Sequence, residues 1–105
     1  MKKEPLTESY FYILLCLYKG PTHGYGIMQE SARMSGGRVK IGSGTMYGAT
    51  SNMLKKGWIE EAGSETDASS RRRLYRLTDE GRNVLMEEIF RLRNMVDQAN
   101  SIVNG

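Results

Sequence analysis

The sequence predicts a small domain that is mainly α with a minor β part, an α+β fold, and three observations predict it. Four stretches carry apolar residues at helical spacing or as a short apolar helix. Two short runs, "WIEEAG" and "RRRLYRL", flank the polar segment "SETDASS", the pattern of an antiparallel hairpin. The chain has 105 residues and no internal repeat, which fits one domain. A domain of this size buries only roughly 60–70% of its unfolded surface. A deep enclosed active site would cut into that core, so shallow surfaces or a shared interface are the expected working parts.

The first helix is expected over Thr7 to Lys19, with Thr7 as N-cap, Glu8 in the first turn and Gly20-Pro21 as the stop. Residues 10 to 18 are apolar almost all round, so this helix is expected to be buried. The second runs from about His23 to Ser35, with Thr22 as candidate cap, Tyr25, Met28 and Ala32 on one face, and Gly36-Gly37 as terminator. Gly24 and Gly26 each cost this helix about 0.8–1 kcal/mol relative to alanine, and close packing against a neighbouring helix is their expected reason. His23 is the sole histidine; with no acid-base partner near in sequence, it is expected to cap rather than catalyse.

A short β-branched stretch, Arg38-Val39-Lys40-Ile41, is expected as a strand, and "GSGTMYG" follows it. Strand, glycines and helix are the order of a nucleotide-phosphate cradle. However, the third glycine falls one residue too late for the dinucleotide fingerprint, and the Gly-Lys-Ser/Thr of a P-loop is missing. No further β-α-β units follow to build a doubly wound sheet. Instead, Ser43 is expected to cap a third helix that ends at Gly57. Met46, Ala49, Thr50, Met53 and Leu54 form its core stripe. The opposite face carries Thr45, Tyr47, Gly48, Ser51, Asn52 and Lys55, with donors, acceptors, one aromatic and no acid. The hairpin comes next, and Thr78-Asp79-Glu80 caps a last helix that extends to about Val103.

Charge is distributed in blocks. The net charge is only +3, yet Arg38 to Gly57 holds four cations and no acid, Trp58 to Ser70 holds only acids, and Arg71 to Leu77 holds four arginines. Glu60 and Glu61 can pair across the hairpin with some of Arg71, Arg72, Arg73 and Arg76. Two acids do not neutralise four arginines, so at least two of these are expected to meet phosphate. Cys16 is the single cysteine, expected as a buried, inert thiol suited to a reducing cytosol. The nine-residue apolar run around it is too short to span a bilayer, and Glu4, Pro5 and Glu8 spoil a secretion signal. A cytoplasmic protein is expected, with no membrane contact.

Helix, helix, short strand, helix and hairpin is the order of a winged helix-turn-helix, in which the third helix enters the major groove and the hairpin, or wing, lies along the backbone. Uncharged hydrogen-bonding groups on that helix suit base edges, and the Gly44 and Thr45 amides suit a phosphate at its start. The segments "HGYGIMQE", "GRVKIGSGTMYGATSNMLKKGWIEE" and "RRRLYRLTDEGRNVL" resemble the PadR-like transcriptional regulators in order and spacing. The resemblance covers roughly residues 6 to 85. It implies that Thr45 and Tyr47 stand at the start of the recognition helix and that Arg71 to Arg73 form the basic wing. It further implies a homodimeric repressor that responds to small molecules, here of the short branch with a single C-terminal helix. The family usually has proline where Ser43 and Gly48 stand, and a larger apolar residue at Thr50.

The residues expected to touch double-stranded DNA are therefore Lys40, Ser43, Gly44, Thr45, Tyr47, Gly48, Ser51, Asn52 and Lys55, with Arg71, Arg72 and Arg73 on the wing. In the last helix Leu85, Ile89, Leu92, Val96, Ala99 and Val103 recur at alternating intervals of four and three, a coiled-coil seam widened by Met86 and Phe90. Residues 1–77 are expected to form the DNA-binding domain, and residues 78–105 a dimerisation helix packed on it. A helix folded back on its own core is the other reading of that stripe. The methionines and tyrosines are expected as core; an adaptable pocket for a small apolar or aromatic effector is their second use. No catalytic residue, metal or cofactor is expected, because no nucleophile or acid-base pair stands out. A winged helix used as a protein-interaction module is the alternative function, since the fold does not dictate the activity; it predicts no salt-dependent binding to a duplex.

Overall fold

The structure is a computed structural model that describes residues 4–66 and 71–105. Its elements run α1 (Glu8–Tyr18), β1 (Thr22–His23), α2 (Gly24–Met34), α3 (Ser43–Lys56), β2 (Ile59–Thr66), β3 (Arg71–Leu77) and α4 (Asp79–Val103). The four helices and the small antiparallel sheet form a winged helix, as the order of elements predicts.

Local signals place α1. The Thr7 side chain accepts from Tyr10 N–H at 3.1 Å, and the chain leaves the helix at Gly20 with φ 150°. Ile13, Leu14, Cys16 and Leu17 are buried, Phe11, Tyr12 and Leu15 are half-buried, and Tyr18 is exposed. α2 buries Ile27 and Ser31, one turn apart, while Tyr25 is exposed. The buried Cys16 thiol lies 3.6 Å from the Ser31 hydroxyl, and burial pushes its pKa up, as expected of an inert thiol.

The sheet differs from expectation in two places. Arg38 to Ile41 belongs to no strand among the described residues, although Val39 and Ile41 are both buried. The third strand is Thr22–His23, which pairs with Tyr75 and Leu74 on β3 and gives the order β1-β3-β2. Both edges of β3 are occupied, and Val39 and Ile41 join the hydrophobic core cluster instead. β2 also runs on to Thr66, so part of the expected loop is strand, with a register shift between Glu61 and Ser64.

Two caps frame the wing, one at the end of α3 and one at the start of α4. Gly57 closes α3 in the left-handed conformation at φ 77°. Thr78 caps α4 by accepting from Gly81 N–H at 3.1 Å, and its backbone N–H donates to the Trp58 carbonyl at 3.0 Å. Gly81 is required here, because a Cβ would run into that Trp58 carbonyl. The first half of α4 is thereby built into the core: Gly81, Leu85 and Glu88 are buried, and Val84 and Ile89 pack beside them. Leu85, expected in the dimer seam, is only 1% exposed within this single chain and belongs to its own core. From Arg93 onward every residue of α4 is exposed, and the molecule extends 57 × 32 × 22 Å.

Candidate nucleic-acid interface

α3 has the two faces that its sequence describes. Met46, Ala49, Thr50 and Met53 are buried and Leu54 is half-buried. Thr45, Tyr47, Gly48, Ser51 and Lys55 are exposed, Tyr47 at 76%. The cap is a correction. Gly42, in extended backbone, is the N-cap and supplies no side-chain bond, while Ser43 is the first helical residue. The first-turn N–H groups of Ser43, Gly44 and Thr45 therefore have no intrahelical acceptor and point out of the helix start. Thr50 donates from Oγ1 to the Tyr47 carbonyl at 3.0 Å, which keeps a polar side chain content in the core.

Asn52 is not on the open face. It is half-buried and donates from Nδ2 to the Tyr10 hydroxyl at 3.0 Å, and Tyr10 meets Trp58 edge to face with centroids 6.5 Å apart. The amide that sequence spacing placed toward DNA instead locks α3 to α1. Lys55 lies about 18 Å along the helix axis from Ser43, by the usual rise per residue, so it and the helix start serve different parts of any long ligand.

On the wing, cross-strand pairing takes part of the positive charge. Arg76 Nε donates to Glu60 at 2.7 Å, and Arg73 stands 3.8 Å from Glu61 in an exposed, loose pair. Arg72 turns toward α2: its guanidinium lies 5.6 Å from the centre of the Tyr25 ring, and Nη1 is 3.3 Å from His23 Nε2. The Arg71 side chain lies outside the described residues. A shallow groove of about 300 Å³ runs between α2, α3 and β3, lined by His23, Tyr25, Met28, Tyr47, Arg72 and Tyr75 among others.

Several other cations are matched by acids. Lys19 and Arg33 both bond Glu30 and hold its pKa down at about 2, with the Arg33 hydrogen bonds the larger cause. Arg38 pairs with Glu8 at 2.5 Å, and Arg91 with Glu88 at 2.8 Å. Lys40 and Lys55 are exposed and have no acid partner among the described residues. Lys55 lies on α3 and Lys40 just before it. Among the described residues there is no cluster of metal-ligand side chains, and no helix is long and apolar enough to cross a membrane.

The Transcriptional regulator PadR-like family matches residues 13–87, from within α1 to within α4. The chain belongs to this family. The PadR-like fold recurs in solved structures. A transcriptional regulator from Clostridium thermocellum is 25% identical with a TM-score of 0.75, over 90% of this chain and 89% of that one. A PadR family transcription regulator from Clostridium difficile is 25% identical with a TM-score of 0.72, over 94% and 100%. PadR from Bacillus subtilis, solved in complex with operator DNA, shares the fold at 22% identity and a TM-score of 0.67, over 76% of this chain and 45% of that one. No curated protein matches the sequence.

Within this PadR-like frame, sequence reasoning missed three side chains. Tyr25 and His23 border the groove, and Tyr10 holds Asn52. Only Tyr25 left a local trace, as an aromatic on a helix whose buried residues are Ile27 and Ser31. The other two act through partners more than 40 positions away.

Proposed function

We propose that this PadR-like regulator is a homodimeric repressor that binds a specific double-stranded DNA operator with α3 and the wing. The observation that carries the reading is the exposed, acid-free face of α3, beside a basic wing and the two unmatched lysines. Thr45, Tyr47, Ser51 and Gly48 would face base edges, the open amides at Ser43 and Gly44 a phosphate, and Lys40, Lys55, Arg71 and Arg73 the flanking backbone. The operator complex of the Bacillus subtilis relative supports this use of the fold.

Residues 1–77 would form the reading head, and the later part of 78–105 the dimer contact. Ile89, Leu92, Val96, Ala99 and Val103, with Met86 and Phe90, supply the seam; Leu85 drops out because its own core already covers it. Two copies would present their recognition helices to half-sites about one helical turn apart, roughly 34–36 Å. Release by a small apolar or aromatic effector, and action in the cytoplasm, complete the reading. The deciding experiment is binding of the purified protein to its own upstream DNA at two salt concentrations. Tight, sequence-dependent, salt-sensitive binding is expected. Replacing Arg71, Arg72 and Arg73 with alanine should lower the slope of log affinity against log salt by roughly 0.9 per lost phosphate contact. Absence of salt-dependent duplex binding would leave the fold as a protein-interaction module.

A further inference from the structure

We propose that Asn52, held by Tyr10, is a positioning residue of the recognition helix: it sets the orientation of α3 and governs operator specificity without touching a base. The inference rests on the DNA-binding reading and adds to it a determinant that lies off the DNA-facing surface.

Two kinds of restraint act on α3. Its buried stripe, with Met46, Ala49 and Met53, packs into the core. Apolar burial is non-directional, so it keeps the helix in place without selecting a fine orientation. A hydrogen bond is directional. Thr50 makes its bond within the helix, to the Tyr47 carbonyl. Among the described residues, the side-chain hydrogen bond that ties α3 to another element runs from Asn52 Nδ2 to the Tyr10 hydroxyl on α1, at 3.0 Å.

Tyr10 is itself a fixed post. Its backbone N–H donates to the Thr7 cap at 3.1 Å, and its half-buried ring meets Trp58 edge to face. Trp58 N–H donates to the Met53 carbonyl at 2.9 Å, and the Trp58 carbonyl accepts from Thr78 N–H at 3.0 Å. α1 also packs on α4, so the bond fixes α3 relative to the body that carries the proposed dimer helix. The lever is long enough to matter. Asn52 follows Thr45 by almost two helical turns, so it lies on the same side of α3, about 10 Å along the axis. A tilt of about 10° about Asn52 moves Thr45 by about 2 Å, whereas hydrogen-bond lengths span only about 0.5 Å. Base-edge bonds from Thr45 and Tyr47 therefore depend on a residue that makes none. In the competing arrangement Asn52 leaves Tyr10 and reads a base itself.

Tyr10→Phe removes one oxygen and keeps the ring against Trp58. Affinity is measured for the protein's own upstream duplex and for a shuffled duplex of the same length and composition. In Tyr10→Phe the ratio of the two affinities should fall by about tenfold, the size of one good base contact. Affinity for the shuffled duplex, which is set by phosphate contacts, should stay at the wild-type value. Asn52→Ala should give the same drop, and the double variant should be no worse than either single one, because all three break one bond. A Tyr10→Phe protein that keeps the wild-type ratio overturns the proposal; if Asn52→Ala alone then loses specificity, Asn52 reads a base directly. Equal losses on both duplexes assign the bond to the fold only and overturn it as well. Should Asn52→Ala unfold, Tyr10→Phe decides by itself. In all of these outcomes a wild type that prefers its own duplex still supports DNA binding. A wild type without that preference removes the DNA-binding reading, and the proposal with it.

Discussion

The outer face of α3 and the outer half of α4 are both left uncovered by the chain, yet their chemistries are opposite. α3 presents Thr45, Tyr47, Ser51 and Lys55, polar groups without an acid among them. α4 presents Phe90, Met95, Val96, Ile102 and Val103, each at least half exposed. A polar, cation-bordered face gains by meeting an anionic, hydrogen-bonding partner, whereas an apolar face gains by leaving water. The same degree of exposure therefore suits the two different partners proposed above, DNA and a second copy. α4 also contains the contrast within itself, since its first half is anchored through Leu85 and Glu88 and its second half is not.

The largest effect should come from the apolar face. Val96→Asp places a charge in the proposed seam, while Val96 is 56% exposed in the single chain, so the fold should survive. Sedimentation should show a monomer, and operator affinity should fall by about 10²–10⁴-fold as the two reading heads lose their linkage. A wild-type protein that is itself monomeric at micromolar concentration would break the comparison at once.

Next in size is a contrast across α3. Met53→Ala empties a fully buried site and should cost about 2–5 kcal/mol in chemical denaturation. Tyr47→Phe and Thr45→Val should leave stability near wild type and impair operator binding. The reverse pattern would mean that the two faces of α3 are assigned the wrong way round.

Glu88 tests the boundary between the two halves of α4. Its carboxylate accepts from Leu6 N–H at 3.0 Å and from Arg91, whose guanidinium holds the carboxyl pKa below its usual range despite burial. A folded-state pKa that is depressed means stability present above the ordinary carboxylate range and lost as pH falls through the folded value. Glu88→Gln should therefore cost about 1–2 kcal/mol at neutral pH, with the gap from wild type closing in acid. A gap that is independent of pH would assign Glu88 a packing role only.

The smallest effect belongs to Gly48. A Cβ there meets nothing within 4 Å, so Gly48→Ala should stabilise α3 by up to about 1 kcal/mol, read as a higher melting temperature. If operator affinity is unchanged, the open face of α3 tolerates a methyl at that point. Lost affinity in a stabilised protein would show that the duplex backbone comes close to Gly48.

Much of this molecule was legible in the chain because its signals are local. Thr7 and Thr78 cap their helices, Gly57 ends α3, and the stripe from Met46 to Met53 is buried. Each depends on neighbours within about one helical turn, where side-chain type and spacing are enough. The exposed face of α3 followed from the same spacing, and so did most of the candidate interface. Asn52 did not follow, because a residue at the margin of two faces is claimed by whichever neighbour reaches it, and Tyr10 reaches it from 42 positions away.

The sequence alone determined the helices, the hairpin, the acid-free surface and the apolar run along α4. Tertiary structure decided which of several similar stretches was used. Val39 and Ile41 have the alternation of a strand and belong to none among the described residues, while Thr22 and His23 have no strand pattern and become one because β3 offers its edge to them. Leu85 and Val96 occupy one periodic stripe, yet one is sealed by the chain's own core and the other is left in water. Periodicity establishes that a face is apolar; only the arrangement of distant elements settles how far along that face cover extends. His23 and Arg72 meet for the same reason, across 49 positions, because pairing of β1 with β3 brings a helix cap against the wing.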